Sequence, residues 1–549
     1  MKPRRQFIQF LGASAVVAAG HRVVPGWLVA QSAAPVPVGT PLFDGIDFRP
    51  APVSHADALS LAEGFQYEIL LRRGQRLNGR GETYGDDNDY LGWVQRSDSE
   101  GWLWCNHEAS DPLWLLGEPL TTGNLSRKFA HEYLDQMGGS CVRMRRRPGG
   151  DWRPVVPDEK NFRISGHSTG VMFTGPAAGS SWLHGARSTT GSFGNCGGGV
   201  TPWGTFCSGE EQTSVLLGDP ELGDRASALA RFLDHAPEHF GYIVEIDPDT
   251  REVFKHTALG RFAHENIAFT LARDGRLVGY MGDDRPQQCL YKFISHQKFD
   301  SGRGKENRRL LSDGTLYVAN TQSGRWQPLD PSAQPSLKKA GFDLARVSVH
   351  TRTAAWWVGG TPHARPEDIE VHPVTGDVFV SLSAQAPDPS KPPIASDAAG
   401  AIARLKEAGA DAAAVEFQFS IFVRSSPDTG LVWPDNLGLT TGNNLLVCSD
   451  YDWQHPLKPA STQAHLGNNH LLLVPTTGVR AGQPIRFATA PNGAEFCSPN
   501  LSPDRSELWL NVQHPGQGST SLAGLHSHWP DGGDAPPRSS LVAIRRHAQ

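Results

Sequence analysis

A thiol, three successive glycines and two adjacent carboxylates fall in one short stretch, Asn195-Cys196-Gly197-Gly198-Gly199-Val200-Thr201-Pro202-Trp203-Gly204-Thr205 followed by Glu210-Glu211. Cysteine is a soft metal ligand and glutamate a hard one, so the combination suits a site that holds more than one kind of cation. Glycines add backbone freedom and let the main chain come close to a bound group. The bland alternative is a tight turn with Cys196 as a small core hydrophobe and the glutamates in solvent.

Other stretches carry the same chemistry. Tyr84-Gly85-Asp86-Asp87-Asn88-Asp89-Tyr90 and Asn106-His107-Glu108 offer early oxygen donors, with Glu108 favoured over the aspartate run. Glu265 follows His264, and Asp283-Asp284 follows Tyr280-Met281-Gly282. A hard cation such as calcium takes six to eight oxygens, so a calcium site must gather carboxylates and amides from several loops. In Arg365-Pro366-Glu367-Asp368-Ile369-Glu370 a guanidinium stands beside three carboxylates. Arginine can clamp a phosphate through parallel hydrogen bonds while Glu367 holds metal. Pro434-Asp435-Asn436, Ser449-Asp450 and Ala494-Glu495 add donors near the C-terminus. The bland readings are solvated turns for the early aspartate run, a surface His-Glu pair at Glu265 and an acidic hairpin turn at Asp283, equally open if each stood alone, and a surface salt-bridge cluster around Arg365. No P-loop, dinucleotide glycine fingerprint, His-Glu-x-x-His motif or Gly-x-Ser-x-Gly elbow occurs.

Taken together, these stretches resemble the PhoX-type alkaline phosphatases, exported bacterial propeller enzymes with a mixed iron and calcium cluster. The resemblance runs from about residue 84 to 516, ending in Asn511-Val512-Gln513-His514-Pro515-Gly516. The family usually has a cysteine directly before the Glu pair, whereas this chain has Gly209 there and Cys207 two residues earlier. The resemblance implies metal ligands at Glu108, Cys196, Glu211, Glu265, Asp283, Glu367, Asp435 and Glu495. It also implies catalytic roles for Arg365 and Asn106, iron and calcium as cofactors, a phosphate monoester as substrate, and a monomer. The rival readings are a phosphodiesterase, phosphotriesterase or lactonase on a metal-bearing propeller, and a non-catalytic propeller that uses calcium to fix its loops.

The elements that must position these residues are strands. Of 549 residues, 59 are Gly and 41 Pro, and helix-like apolar periodicity is scarce, so the expected class is all-β. A net charge of −6 excludes a nucleic-acid binder by charge. Runs such as Gln66–Leu71, Gly101–Cys105, Gly241–Asp247, Gly376–Leu382 and Glu507–Val512 have strand length and composition, with turn signals beside several of them. Recurrent hairpins predict a β-propeller with insertions at the rim of its channel, with a large β-sandwich assembly as the alternative; six blades is the number the resemblance implies. Pro220–His239 and the Ala-rich Ala398–Ala414 read as short helical insertions, Pro387–Pro393 as a connector, and Gln31–Ala58 as a linker or strap across the first blades.

Arg4-Arg5 ahead of an apolar run from Phe7, with small residues near Ala30–Ala34, resembles a twin-arginine export signal. The expectation is a leader over 1–34, one propeller domain over 35–549, and a periplasmic or secreted protein that engages the twin-arginine machinery and has no membrane anchor. The apolar run is too short to span a bilayer. Seven cysteines are an odd number, so at least one thiol stays unpaired in a monomer, and Cys196 is the natural candidate.

Overall fold

The computed structural model describes residues 41–547 apart from Asp44, Thr122, His235, 384–399, Pro427–Asp428 and 452–465. The expected leader and the Pro387–Pro393 connector lie outside the described residues. Six sheets follow one another along the chain as the blades of a β-propeller. Their first strands are Asn88–Gln95, Asn195–Val200, Ala268–Leu271, Pro366–Val371, Pro434–Leu439 and Glu495–Leu501. The second strands, Glu100–His107, Phe206–Glu210, Arg276–Gly282, Val378–Leu382, Leu445–Ser449 and Leu508–Gln513, each run antiparallel to the first.

Blades cohere because strand residues alternate faces, and each broad face buries its apolar side chains against the next blade. Trp104 and Val142 flank the first blade on either side: Trp104 meets Phe206 and Val244 of the second, while Val142 packs with Trp93 and with Trp509 of the sixth. Ile243 packs with Phe269 and Tyr291, Tyr280 with Val380 and Leu405, and Phe379 with Leu437 and Val447. Leu471 and Phe487 of the fifth blade meet Phe496 and Leu510 of the sixth.

The chain closes the ring on itself. Phe65–Arg72 pairs with Ser540–Arg546 as the outer strand of the sixth blade, and Ser60–Leu61 pairs with Thr489 and Ala488 on the outer edge of the fifth. The expected strap is present from residue 41, but it crosses the last blades rather than the first. Leu42 N donates to Arg505 O and Ala51 N to Arg486 O, while Phe43 packs edge-on against Phe487.

Two helical expectations are corrected. Ala401–Glu407 is the third strand of the fourth blade, pairing with Val378–Leu382 and Phe417–Arg424. Ala403 and Leu405 join the core between the third and fourth blades, so partners on both edges override alanine's helix propensity. Among its described residues, Pro220–His239 holds as helix only the 3₁₀ turns Ala230–Phe232 and Pro237–His239, with the short α-helix Thr213–Leu217 ahead of it. Prolines at 220 and 237 and left-handed glycines at 218 and 223 interrupt any longer helix.

Candidate metal centre

An inner strand beginning and a second strand ending lie at the same end of a blade, so both hairpin arms deliver side chains to one mouth of the channel. The first arms bring Asp89, Cys196, Glu265, Glu367, Asp435 and Glu495, one residue at or just before the start of each inner strand. The second arms end at Glu108, Glu211, Asp284, Asp450 and His514. In five of the six inner pairs the register slips immediately beyond this point, at Asn88/Leu91, Asn195/Gly198, Pro366/Ile369, Pro434/Leu437 and Cys497/Asn500. A bulge re-aims the side chains around it, so its recurrence presents one donor per blade. Four inner strands are also entered through a left-handed residue: Asp87 (φ 38°), Gly194 (64°), Arg365 (32°) and Trp433 (40°).

The donors form three overlapping groups whose ligand atoms lie within 4.8 Å of one another: Asp89, Glu108 and Cys196; Cys196, Glu211 and Glu265; Glu265, Glu367 and Asp435. Cys196 and Glu265 are the shared members. A fourth group of the same compactness joins Asp450, Glu495 and His514, and Gln513, next to His514, donates to Glu108 Oε2 at 2.7 Å. Cys196 Sγ lies 3.0 Å from Asp89 Oδ2 and 3.4 Å from Glu265 Oε1.

Burial, then mutual repulsion, pushes Asp89, Glu211, Glu265, Asp435 and Glu495 far above the usual carboxylate range. Glu367 is pushed the same way despite Arg365. The Cys196 thiol also rises, through burial and then Asp89 and Glu265. Asp89 Oδ1, Asp284 Oδ1 and Glu495 Oε2 are buried and accept no hydrogen bond. Orphaned acceptors of this kind, one of them on Asp89 beside the Cys196 thiol, fit bound cations: each would otherwise cost about 1–3 kcal/mol or more. Oxygen-rich groups suit calcium, and the sulfur suits a softer metal such as iron.

Arg365 is the guanidinium at this site. Its Nη2 donates to Asp284 Oδ2 at 2.7 Å and lies 2.7 Å from Glu367 Oε1, and its side chain keeps 26% of its area exposed. Burial works against its charge, but Asp284 and Glu367 outweigh it and raise its pKa.

Two expected site residues do something else. Asp283 forms a two-pronged pair with Arg352 Nε and Nη2, both at 2.7 Å, and Arg352 also pairs with Asp219. It therefore clamps the turn, and its neighbour Asp284 is the residue that reaches Arg365. Asn106 is fully buried: its Oδ1 accepts from Trp104 Nε1 and Ser208 Oγ, and its Nδ2 donates to Cys196 O at 2.6 Å and Gly197 O at 2.8 Å. With both ends of the amide engaged, Asn106 positions the Cys196 loop and has no donor left for a substrate.

The rest of the opening motif is scaffold. A Cβ at Gly197 would fall 2.3 Å from Glu265 O, and one at Gly209 the same distance from His264 O. The glycines admit the next blade's backbone rather than a ligand, and no side chain at 209, cysteine included, fits without a shift. Trp203 Nε1 and Thr205 Oγ1 donate to Glu245, and Glu210 pairs with Lys255 at 2.8 Å, which leaves Glu211 to the site. Asp89, Asp284, Asp450 and His514 lie in stretches that the sequence singles out, but they are not among the expected ligands. Their signal was positional: a donor recurring where each hairpin arm meets the mouth.

The family described as Alkaline phosphatase PhoX matches residues 46–516. The structure of Pseudomonas fluorescens PhoX in complex with vanadate, a transition state analogue, is 29% identical, aligns over 91% of this chain and 98% of that one, and superposes with a TM-score of 0.80. A gluconolactonase from Xanthomonas campestris aligns over 93% and 99% at 10% identity, with a TM-score of 0.33 that supports no argument. No curated protein matches significantly.

Proposed function

Because the chain belongs to the PhoX family of alkaline phosphatases, we propose that it hydrolyses phosphate monoesters at alkaline pH with the help of iron and calcium held at the channel mouth. The observation that carries this reading is the run of overlapping carboxylate groups through Cys196 and Glu265, with Arg365 at its edge. Cys196 would hold iron, while Asp89, Glu108, Glu211, Glu265, Glu367, Asp435 and Glu495 would hold or bridge iron and calcium. Bound cations would supply Lewis-acid neutralisation of the phosphoryl oxygens. Arg365 would orient the ester through the N–H groups that Asp284 and Glu367 leave to it. Asp284 and Glu367 in turn fix the guanidinium, so the clamp is set before substrate arrives. The vanadate complex of the Pseudomonas fluorescens relative supports a phosphoryl-transfer site on this scaffold.

The reading extends to a leader over 1–34 with twin-arginine export to the periplasm or beyond, and to residues 35–549 acting as one monomeric catalytic unit. Among the described residues no helix is long and apolar enough to cross a membrane. The decisive experiment combines elemental analysis of the purified protein with a panel of monoester, diester and lactone substrates, before and after chelation with EGTA. Iron and calcium in the folded protein, with monoester turnover that EGTA abolishes and calcium restores, are expected. A protein with calcium but no iron, or with activity confined to diesters or lactones, overturns the reading.

A further inference from the structure

A cavity of about 460 Å³ opens beside the acidic core, within the usual range for small-molecule sites. Its floor includes Glu108, Asp450, Glu495 and His514, the edge of the metal centre. Its wall is different in kind: Tyr133, Met137, Phe193, Val215 and Leu216. These come from insertions between second and third strands, the helix Arg127–Gln136 in the first blade and Thr213–Leu217 in the second, together with Phe193, which leads into an inner strand. The wall is firm, because Met137, Phe193 and Leu216 share a hydrophobic cluster with Phe129, Leu134 and Phe240.

Resting on the phosphomonoesterase reading, we propose that this apolar wall is the subsite for the organic half of the ester, and that it selects monoesters of uncharged, apolar alcohols over esters whose alcohol carries a second anionic group. Arg365 does not line the cavity, so a phosphoryl group held by it at the neighbouring metal groups would extend its alcohol across the floor toward the wall. An apolar alcohol there buries surface against Tyr133, Phe193 and Leu216. A second phosphate finds no lysine or arginine among the lining residues: of the amides there, Gln212 already donates to Glu211 and Gln513 to Glu108, which leaves Gln517, and the Asp87 carboxylate adds repulsion. The one basic lining group, His514, is engaged by Glu495 Oε1 at 2.8 Å and Gly493 O at 2.9 Å.

The test is a comparison of kcat/KM in the metal-loaded enzyme on a phenylalkyl phosphate, glycerol phosphate and an alkyl bisphosphate. All three expel alkoxides of similar basicity, so differences among them report binding of the alcohol rather than leaving-group chemistry. Val215 is 57% exposed and outside the metal groups, which makes Val215→Lys a safe variant for folding. The wild type should favour the phenylalkyl ester over glycerol phosphate by about tenfold, and Tyr133→Ser should shrink that ratio, mainly through KM. Val215→Lys should raise the bisphosphate relative to the phenylalkyl ester by about tenfold. Reading each variant as a ratio within one preparation cancels partial metal loading. Hydrolysis of all three esters at ratios that neither variant moves overturns the subsite and leaves the phosphatase reading standing; hydrolysis of none overturns both.

Discussion

Cys196 is set apart from the other six cysteines by its neighbours rather than by its burial, since all seven are free and buried. Among the described residues it is the one cysteine in a group able to hold a metal. A thiolate beside Asp89 and Glu265 is untenable without a cation, so if Cys196 holds iron as proposed, Cys196→Ser should lose it and cut turnover by about a hundredfold or more while circular dichroism stays native. Wild-type iron and rate in that variant would falsify the thiolate role. Asp283 and Asp284 make a second, contrasting pair. Asp283→Asn breaks a buried pair with Arg352 and should destabilise the fold by about 3–5 kcal/mol in chemical denaturation. Asp284→Asn removes a carboxylate with an unpartnered oxygen, so turnover should drop and the denaturation midpoint should hold or rise. The reverse pattern would exchange their roles. Sequence alone could select this dipeptide but not the member that faces the mouth. Neighbouring residues on a strand point to opposite faces, and which face is which depends on local register, where bulges and left-handed turns intervene. Glu210 and Glu211 divide between scaffold and site for the same reason.

At the scale of the element, apolar runs bounded by turns announced their strands, as at Phe65–Arg72 and Leu508–Gln513, because burial on a pleated sheet leaves its mark in composition. Ala401–Glu407 left none, since its identity is settled by partners distant in sequence. Glu407 accepts from Tyr280 Oη, Trp326 Nε1 and Lys292 Nζ, which ties the end of this strand to the third blade. Burial lowers Lys292 to about 8, more than the Glu407 carboxylate restores. With the folded pKa below the unfolded one of about 10.4, the unfolded chain holds this proton more tightly. The stability Lys292 contributes is therefore fully present above about pH 10.4 and is lost as pH falls through about 8. Lys292→Met should remove this rise from the curve of Tm against pH between about 8 and 10; an unaltered slope would refute the assignment.

At the scale of the whole molecule, the ring is closed by residues from both ends of the chain. Deleting residues 41–72 spares every proposed ligand, from Asp89 to Glu495, yet takes away the outer strand of the sixth blade. The truncated protein should bind neither iron nor calcium and should succumb to protease; full metal content would show that closure is dispensable. If 1–34 directs export, Arg4→Lys with Arg5→Lys should leave folded enzyme in the cytoplasm, and undiminished activity outside would refute the leader. The closing strand also sets an order of events. Segments synthesised first meet those synthesised last before the sixth blade is whole, and that blade brings Glu495 and His514 to the mouth. If the site holds ions as proposed, a nascent chain still on the ribosome would lack the sixth-blade members of the group formed by Asp450, Glu495 and His514. If the mouth holds metals as proposed, their full capture would report that the ring is closed, and a transport route that accepts folded proteins would receive them already loaded.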